Sequence, residues 1–307
     1  MIQTEDLSKQ FGDFWAVDGV NLDVQPGQVL ALLGQNGAGK TTTIRMLTSV
    51  LLPTRGRALI GGHDVAREPD KVRQLVGVLT EQHGLYLRMT GGEYLDFFGR
   101  IFGLDADRRA KRTAELLEYF GLAGATRQRI GEYSKGMRQK LSLARTLIHE
   151  PPILLLDEPT SAMDPESARL VRTSIAGLRS NLRTIILCTH NLVEAEMLAD
   201  HVAIIYRGSI LVNGAVDELK KKLLGPATYE VRMRNGWRTG ILNLPPGVDL
   251  VSESETGARF RVADADAANP SILQQLMARG DEVITFQEMP RTLEEVYLAA
   301  MAQVQHD

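Results

Sequence analysis

The sequence holds one cysteine, Cys188, in 307 residues. An internal disulfide is therefore excluded, and this usage fits a reducing, cytoplasmic compartment. No apolar run approaches the roughly 18 residues that suggest a membrane-spanning helix. The longest, such as VLALL and ILLL, are far shorter. A role at a membrane would need another chain to supply the span. A secretory leader is not expected, because MIQTEDLSKQ lacks a basic segment followed by an apolar core. Positive charge is not in excess: 35 Lys and Arg stand against 38 Asp and Glu, a net charge of −3. The overall basic field of a nucleic-acid binder is missing, and no nucleic-acid partner is expected. Internal repeats and low-complexity tracts do not stand out either.

What is present is ordinary for a globular chain, with 44% hydrophobic and 24% charged residues. Its length argues for two domains. Residues 1 to about 225 read as an α/β domain. VLALL, TIILC and VAIIY lack polar alternation, as strands buried on both faces do. Helical stretches follow most of them, which predicts a mainly parallel sheet. IQTEDLSKQF and VDGVNLDVQPG alternate more clearly and predict an antiparallel N-terminal layer. Between Gly91 and Gly131 the pattern turns helical, predicting a helical subdomain over about 85–150. KKK then ends a helix, Gly225 and Pro226 break it, and residues 226–307 read as a small α+β domain. Within it TYEVRMR, GARFRV and EVITF are expected strands, and SILQQLMARG and RTLEEVYLAAMAQ expected helices.

GQNGAGKT, Gly34 to Thr41, fits the pattern G-x-x-x-x-G-K-[ST]. Gly34, Gly37 and Gly39 let backbone N–H groups approach a phosphate without a Cβ clash. Lys40 adds a point charge for the β- and γ-phosphates, and Thr41 offers a hydroxyl to Mg²⁺. A strand precedes the motif and the helical TTTIRMLTSVL follows, so a helix N-terminus favours the anion. The whole run Gly34, Gln35, Asn36, Gly37, Ala38, Gly39, Lys40, Thr41 and Thr42 is thus a candidate nucleotide cradle. The competing reading is a plain strand–turn–helix corner.

ILLLDEP ends a buried strand in two acids, Asp157 and Glu158. A buried carboxylate is tolerable beside a cation, so Asp157 is placed to support the Mg²⁺ that Thr41 also touches. On an extended chain Glu158 points the other way, where it can polarise the water that attacks a γ-phosphate; the competing reading of the pair alone is two solvated acids in a loop.

YSKGMRQKLSLARTLIHEP precedes ILLLDEP, and TIILCTHNLVEAEMLAD follows it. With these in order, residues 1 to about 225 resemble the ATPase subunit of ATP-binding cassette (ABC) transporters. The resemblance implies a P-loop NTPase cassette that binds ATP and Mg²⁺ and hydrolyses ATP with Lys40, Glu158 and His190. YSKGM resembles the family signature LSGGQ. It implies that Ser134 and Gly136 act on ATP held by a second cassette, and hence a dimer. SAMD, Ser161 to Asp164, resembles the loop that links the two sites, and His190 resembles the switch histidine. Phe11 lies where the family stacks an aromatic ring on adenine, or is core. The family's Mg²⁺-touching glutamine falls on Glu81, or on Gln82 one place later. Lys135 and Met137 depart from the signature; Lys135 offsets phosphate charge or is simply solvated.

GLYLRMTGGEYLDFFGRIFGL and PRTLEEVYLAAM resemble the bacterial drug- and sodium-efflux branch, which implies export. The partner would be an integral membrane permease on a separate chain, with this chain peripheral at the cytoplasmic face. Tyr94, Phe97, Phe98 and Phe102 fall on one helical stripe. That stripe is either a docking groove for a permease helix or, for most of these rings, the subdomain's own core. Leu85, Tyr86 and Leu87 are better placed for permease contact. A soluble ABC-type ATPase without a permease is the alternative.

Overall fold

The computed structural model describes residues 1–80, 84–161, 163–179, 183–238 and 243–304. The chain divides into two compact units, Met1–Val216 and Asp217–Asp307.

The first unit contains two sheets. Strands β1 (Ile2–Phe11), β2 (Phe14–Val24), β4 (Arg55–Ile60) and β5 (His63–Asp64) form an antiparallel layer in the order β2-β1-β4-β5. The second sheet has six strands. They run β10 (Ser209–Ala215), β9 (His201–Tyr206), β3 (Val29–Leu33), β8 (Thr184–Thr189), β7 (Ile153–Asp157), β6 (Val76–Leu79). All neighbours are parallel except β10, which runs against β9. The expected parallel sheet and antiparallel layer are both present.

The unbroken apolar runs follow from coverage on both faces. Leu30, Leu32, Leu155, Ile186 and Cys188 pack with the antiparallel layer and helix α1 (Lys40–Leu47) in one core. Their neighbours Val29, Leu154, Leu156, Ile185 and Leu187 pack on the opposite face in a second core. Period-2 side-chain alternation sends successive residues to different cores, and both cores are buried. Helix α2 (Pro69–Leu75) leads into β6.

The second core is completed by the helical insert. It comprises α3 (Gly91–Ile101), α4 (Ala106–Tyr119) and α5 (Lys135–Thr146). Each start carries a side-chain cap. Thr90 and Glu93 form a reciprocal capping box on α3; Asp105 caps α4 and Ser134 caps α5. Helices α6 (Pro165–Gly177) and α7 (Leu192–Leu198) follow β7 and β8. The aromatic stripe divides: Tyr94 is fully buried, Phe97 is exposed, and Phe98 packs edge-on against both. Phe102 instead stacks on His149 at 3.7 Å.

The two units meet in sequence at the first residue of helix α8 (Val216–Leu224), and Gly225–Pro226 follows its last turn. The second unit has one antiparallel sheet, β12 (Val248–Ser254), β13 (Gly257–Val262), β11 (Ala227–Met233), β14 (Val283–Glu288), in that order. Helices α9 (Ala265–Ala278) and α10 (Leu293–Val304) complete it. Val231, Phe260 and Val262 of the sheet pack against Ile272 and Leu276 of α9. Strand β12 gave no signal in the sequence because it is an edge strand, buried only at Val248. Among the described residues, no helix is long and apolar enough to cross a membrane.

Candidate functional site

Three parallel strands, β3, β7 and β8, end beside one another; residues 34–42, Glu158 and His190 lie just past those ends, and Asp157 is the last residue of β7. Open α/β sheets form their crevices at the carboxyl ends of such strands. The chain leaves β3 at Leu33 and enters α1 at Lys40, so Gly34 to Gly39 make the connecting loop. Two of its glycines have specific reasons. A Cβ on Gly34 would lie 2.5 Å from the Ile205 carbonyl oxygen. Gly39 has φ +114°, and its Cβ would lie 2.7 Å from the Ala16 carbonyl oxygen. The loop is thus pressed against β9 and the β1–β2 hairpin, and only glycine allows the approach.

Lys40 is buried, 5% exposed. Its ammonium donates to the carbonyl oxygens of Gly34 at 2.6 Å and Gln35 at 3.2 Å, and pairs with Glu158 Oε1 at 3.2 Å. Thr41 Oγ1 donates to Asp157 Oδ2 at 2.8 Å, at the last residue of β7. Oxygen ligands of this kind, hydroxyl and carboxylate converging in a buried place, suit a hard divalent cation such as Mg²⁺.

Glu158 departs from the expected extended conformation. Its φ is +50°, in the left-handed region. The reason is that β7 ends at Asp157 and the chain turns at once, with the Ser161 N–H donating back to the Glu158 carbonyl at 3.2 Å. The turn is anchored on β8, since the Glu158 N–H donates to the Cys188 carbonyl at 2.9 Å. Glu158 Oε2 lies 2.8 Å from His190 Nδ1, in the residue after β8. Glu158 therefore touches both the cation of the cradle and the histidine. Cys188 is buried beneath them; burial, with the carboxylates of Asp157 and Glu158, pushes its thiol well up, and the nearby Lys40 only partly offsets this.

A cleft of about 430 Å³ opens over these groups. Gln35, Asn36, Gly37, Gly39 and Lys40 to Thr42 form its floor, and Glu158 and His190 one wall. Phe11 lines the other wall, half exposed, so the core reading of this ring fails. Gly34 and Ala38 support the loop from behind rather than lining the cleft: the Gly34 carbonyl holds Lys40, and Ala38 is buried. Two lining residues went unnoticed in the sequence, Phe14 and Ala16, and a third, Ser161, was not expected to line the cleft. Phe14 pairs with Phe11 across the β1–β2 turn, so the spacing FGDF was its signal. Ser161 was noted only as part of SAMD.

Ser134 and Gly136 lie elsewhere, at the start of α5, and neither lines this cleft. Ser134 Oγ accepts from the Met137 N–H at 3.2 Å. A Cβ on Gly136 would meet Ser167 Oγ at 3.0 Å. Glu81 and Gln82 lie outside the described residues.

Cradle, paired oxygen donors and a carboxylate–histidine pair at the ends of parallel strands define a P-loop nucleotide-binding cassette. The family described as ABC transporter matches residues 17–161, and the DrrA1-3-like ATP-binding protein C-terminal domain matches residues 214–301. The daunorubicin resistance ATP-binding protein DrrA3 of Streptomyces coeruleorubidus is 37% identical over 97% of this chain and 94% of its own. The ABC transporter ATP-binding protein NatA of Bacillus subtilis is 40% identical over 71% of this chain and 91% of its own. An ATP-binding subunit of an ABC transporter has the same fold, with a TM-score of 0.67 at 28% identity over 73% of this chain and 94% of that one. A dimeric cassette in a post-hydrolysis state, bound to ADP and Pi, shares the fold with a TM-score of 0.64 at 23% identity, over 70% of this chain and 99% of that one. The chain belongs to the ABC transporter family as an ATP-binding subunit, in the branch with a DrrA-like C-terminal domain, and is an ABC-type ATPase.

Proposed function

We propose that the chain hydrolyses ATP as one half of a two-cassette dimer, most simply a homodimer, and couples closure of that dimer to export by a membrane permease on a separate chain. The partition of the site residues carries this reading. Lys40, Thr41, Glu158 and His190 line one cleft, whereas Ser134 and Gly136 stand at a helix start outside it. A second copy, facing the first, would bring its own Ser134, Gly136 and α5 N-terminus to the γ-phosphate, where hydroxyl, amide and dipole favour an anion.

In this reading, the N–H groups of the Gly34–Gly39 loop and the first turn of α1 hold the phosphates, with Lys40 on the β- and γ-oxygens. Phe11 and Phe14 offer ring faces to the base. Thr41 and Asp157 would hold Mg²⁺, with Glu81 or Gln82 as a further ligand; the metal supplies neutralisation of phosphate charge. Glu158 takes a proton from the attacking water as the water oxygen bonds to the γ-phosphorus. The bond to the bridging oxygen breaks, leaving ADP and inorganic phosphate. His190 hydrogen-bonds the γ-phosphate. Loss of that phosphate removes what both cassettes hold, and the dimer opens.

For the permease we infer a groove of about 660 Å³ between α1, β6 and α3, lined by Val50, Phe98, Ile101, Phe102, Arg145 and His149. Its aliphatic and aromatic part, with Arg45, Asp70, Arg73 and Arg145 also in the lining, suits an amphipathic cytoplasmic helix. Tyr86 and Leu87, both exposed, and Leu85 would flank that helix. The direction of transport is carried over from the drug-resistance relatives. The chain would then sit at the cytoplasmic face of the membrane, with residues 1–225 as the motor and 226–307 as an accessory domain. Affinity capture of the tagged chain from solubilised membranes tests this: a polytopic membrane protein should co-purify. Its absence would favour an ATPase with no permease.

A further inference from the structure

Two buried polar side chains, Gln139 and Glu194, converge on the two residues after Glu158, and the hydrolysis reading leaves them without a task. Gln139, in the middle of α5, donates its amide Nε2 to the Pro159 carbonyl oxygen. Thr160 Oγ1 donates to Glu194 Oε1 at 3.0 Å. Glu194, on α7, is 0% exposed, and Gln139 and Thr160 are also buried. A carboxylate is costly to bury and is retained where its oxygen is used. Burial pushes the Glu194 carboxyl above its ordinary range, against the pull of the Thr189 and Thr160 hydroxyls.

The same α7 start carries the histidine loop. The Glu194 N–H donates to Asn191 Oδ1 at 3.2 Å, and the Asn191 N–H donates to Thr189 Oγ1 at 3.0 Å. His190 lies between Thr189 and Asn191. The Pro159–Thr160 turn is thus tied to α5 on one side and to the His190 loop on the other. Glu158 needs such a tie. Its left-handed backbone is unfavourable for a residue with a side chain and persists only where the surroundings over-determine it.

We propose that Gln139 and Glu194 are positioning residues that clamp the Pro159–Thr160 turn, fix the aim of Glu158, and link helix α5 to the His190 loop. The inference rests on ATP hydrolysis at Glu158 and deepens it. A shift of α5, which Ser134 caps and whose first turn carries Gly136, is passed through Gln139 to the residue next to Glu158. The state of one cassette's α5 thereby reaches its own carboxylate and histidine through a short chain of hydrogen bonds.

The test is steady-state kinetics of the full chain, with ATP titration and thermal melting run alongside. Glu194→Leu removes the acceptor, Thr160→Val removes the donor, and Glu194→Gln keeps a carbonyl acceptor of the same shape. Glu194→Leu and Thr160→Val should each lower kcat about tenfold while ATP affinity stays within about twofold. Their combination should cost no more than the worse single change, because both remove one bond. Glu194→Gln should keep most of the activity, and Gln139→Leu should lower kcat in the same way. A merely structural role would instead lower affinity, melting temperature and kcat together, in Glu194→Gln as well. If Glu194→Leu fails to fold, Thr160→Val reads the same bond. Wild-type kcat in Thr160→Val, or multiplied losses in the double variant, would overturn the clamp. An inactive wild-type chain would instead overturn the hydrolysis reading beneath it.

Discussion

Lys40 Nζ and Glu158 Oε1 form an ion pair at 3.2 Å, with both side chains under a tenth exposed. The group proposed to bind the γ-phosphate and the group proposed to activate water are therefore each other's partner. A phosphate that accepts from Lys40 competes with Glu158 for the ammonium. Nucleotide binding and release of the carboxylate become one event.

Lys40→Ala should weaken ATP binding by about tenfold or more. It removes the ammonium that would meet the phosphates and that pairs with Glu158. Titration with a fluorescent ATP analogue reads this directly. Unchanged affinity would mean that the loop amides alone hold the nucleotide.

His149 gives a pH dependence. Burial lowers its imidazole to about 4 from an ordinary 6.5, only partly offset by its hydrogen bond to the Val76 carbonyl. The folded chain thus keeps His149 neutral where the unfolded chain takes up a proton. The contribution is fully present above the unfolded value, falls as pH drops from 6.5 towards about 4, and changes no further below that. His149→Gln should flatten the melting temperature over this window. Parallel wild-type and variant curves from pH 7.5 to 5 would contradict the assignment.

The permease groove predicts that Ile101→Asp weakens membrane-protein co-purification. Ile101 is 60% exposed on the groove wall, so the change alters the docking surface at little cost to the fold. Retention of the same membrane partner, at the same yield, would move the docking site elsewhere.

Much of this was legible in the sequence because the strong signals are local. VLALL, ILLLD and TIILC are buried on both faces, so burial erases alternation and leaves loud apolar runs. The loop glycines and Lys40 follow one such run, and Asp157 and Glu158 end another. Less was legible where structure depends on distant partners. Strands β10 and β12 are edge strands without a clean buried face. Phe14 becomes a cleft residue only through pairing with Phe11. Alternation along an extended chain aimed Glu158 by the wrong rule, because the strand stops one residue earlier. Gln139 and Glu194 sit among polar positions of amphipathic helices, and nothing in the local pattern separates a buried polar group from a solvated one.

Glu158→Gln provides the most direct test. Glutamine keeps the shape and the hydrogen bonds of the turn but cannot take a proton from water. The variant should lose turnover by roughly a hundredfold or more, yet still bind ATP. In size-exclusion chromatography with light scattering, it should run as a monomer alone and as a dimer with ATP and Mg²⁺. A Glu158→Gln chain that stays monomeric with saturating ATP and Mg²⁺, or one that hydrolyses ATP at the wild-type rate, would contradict the two-cassette mechanism.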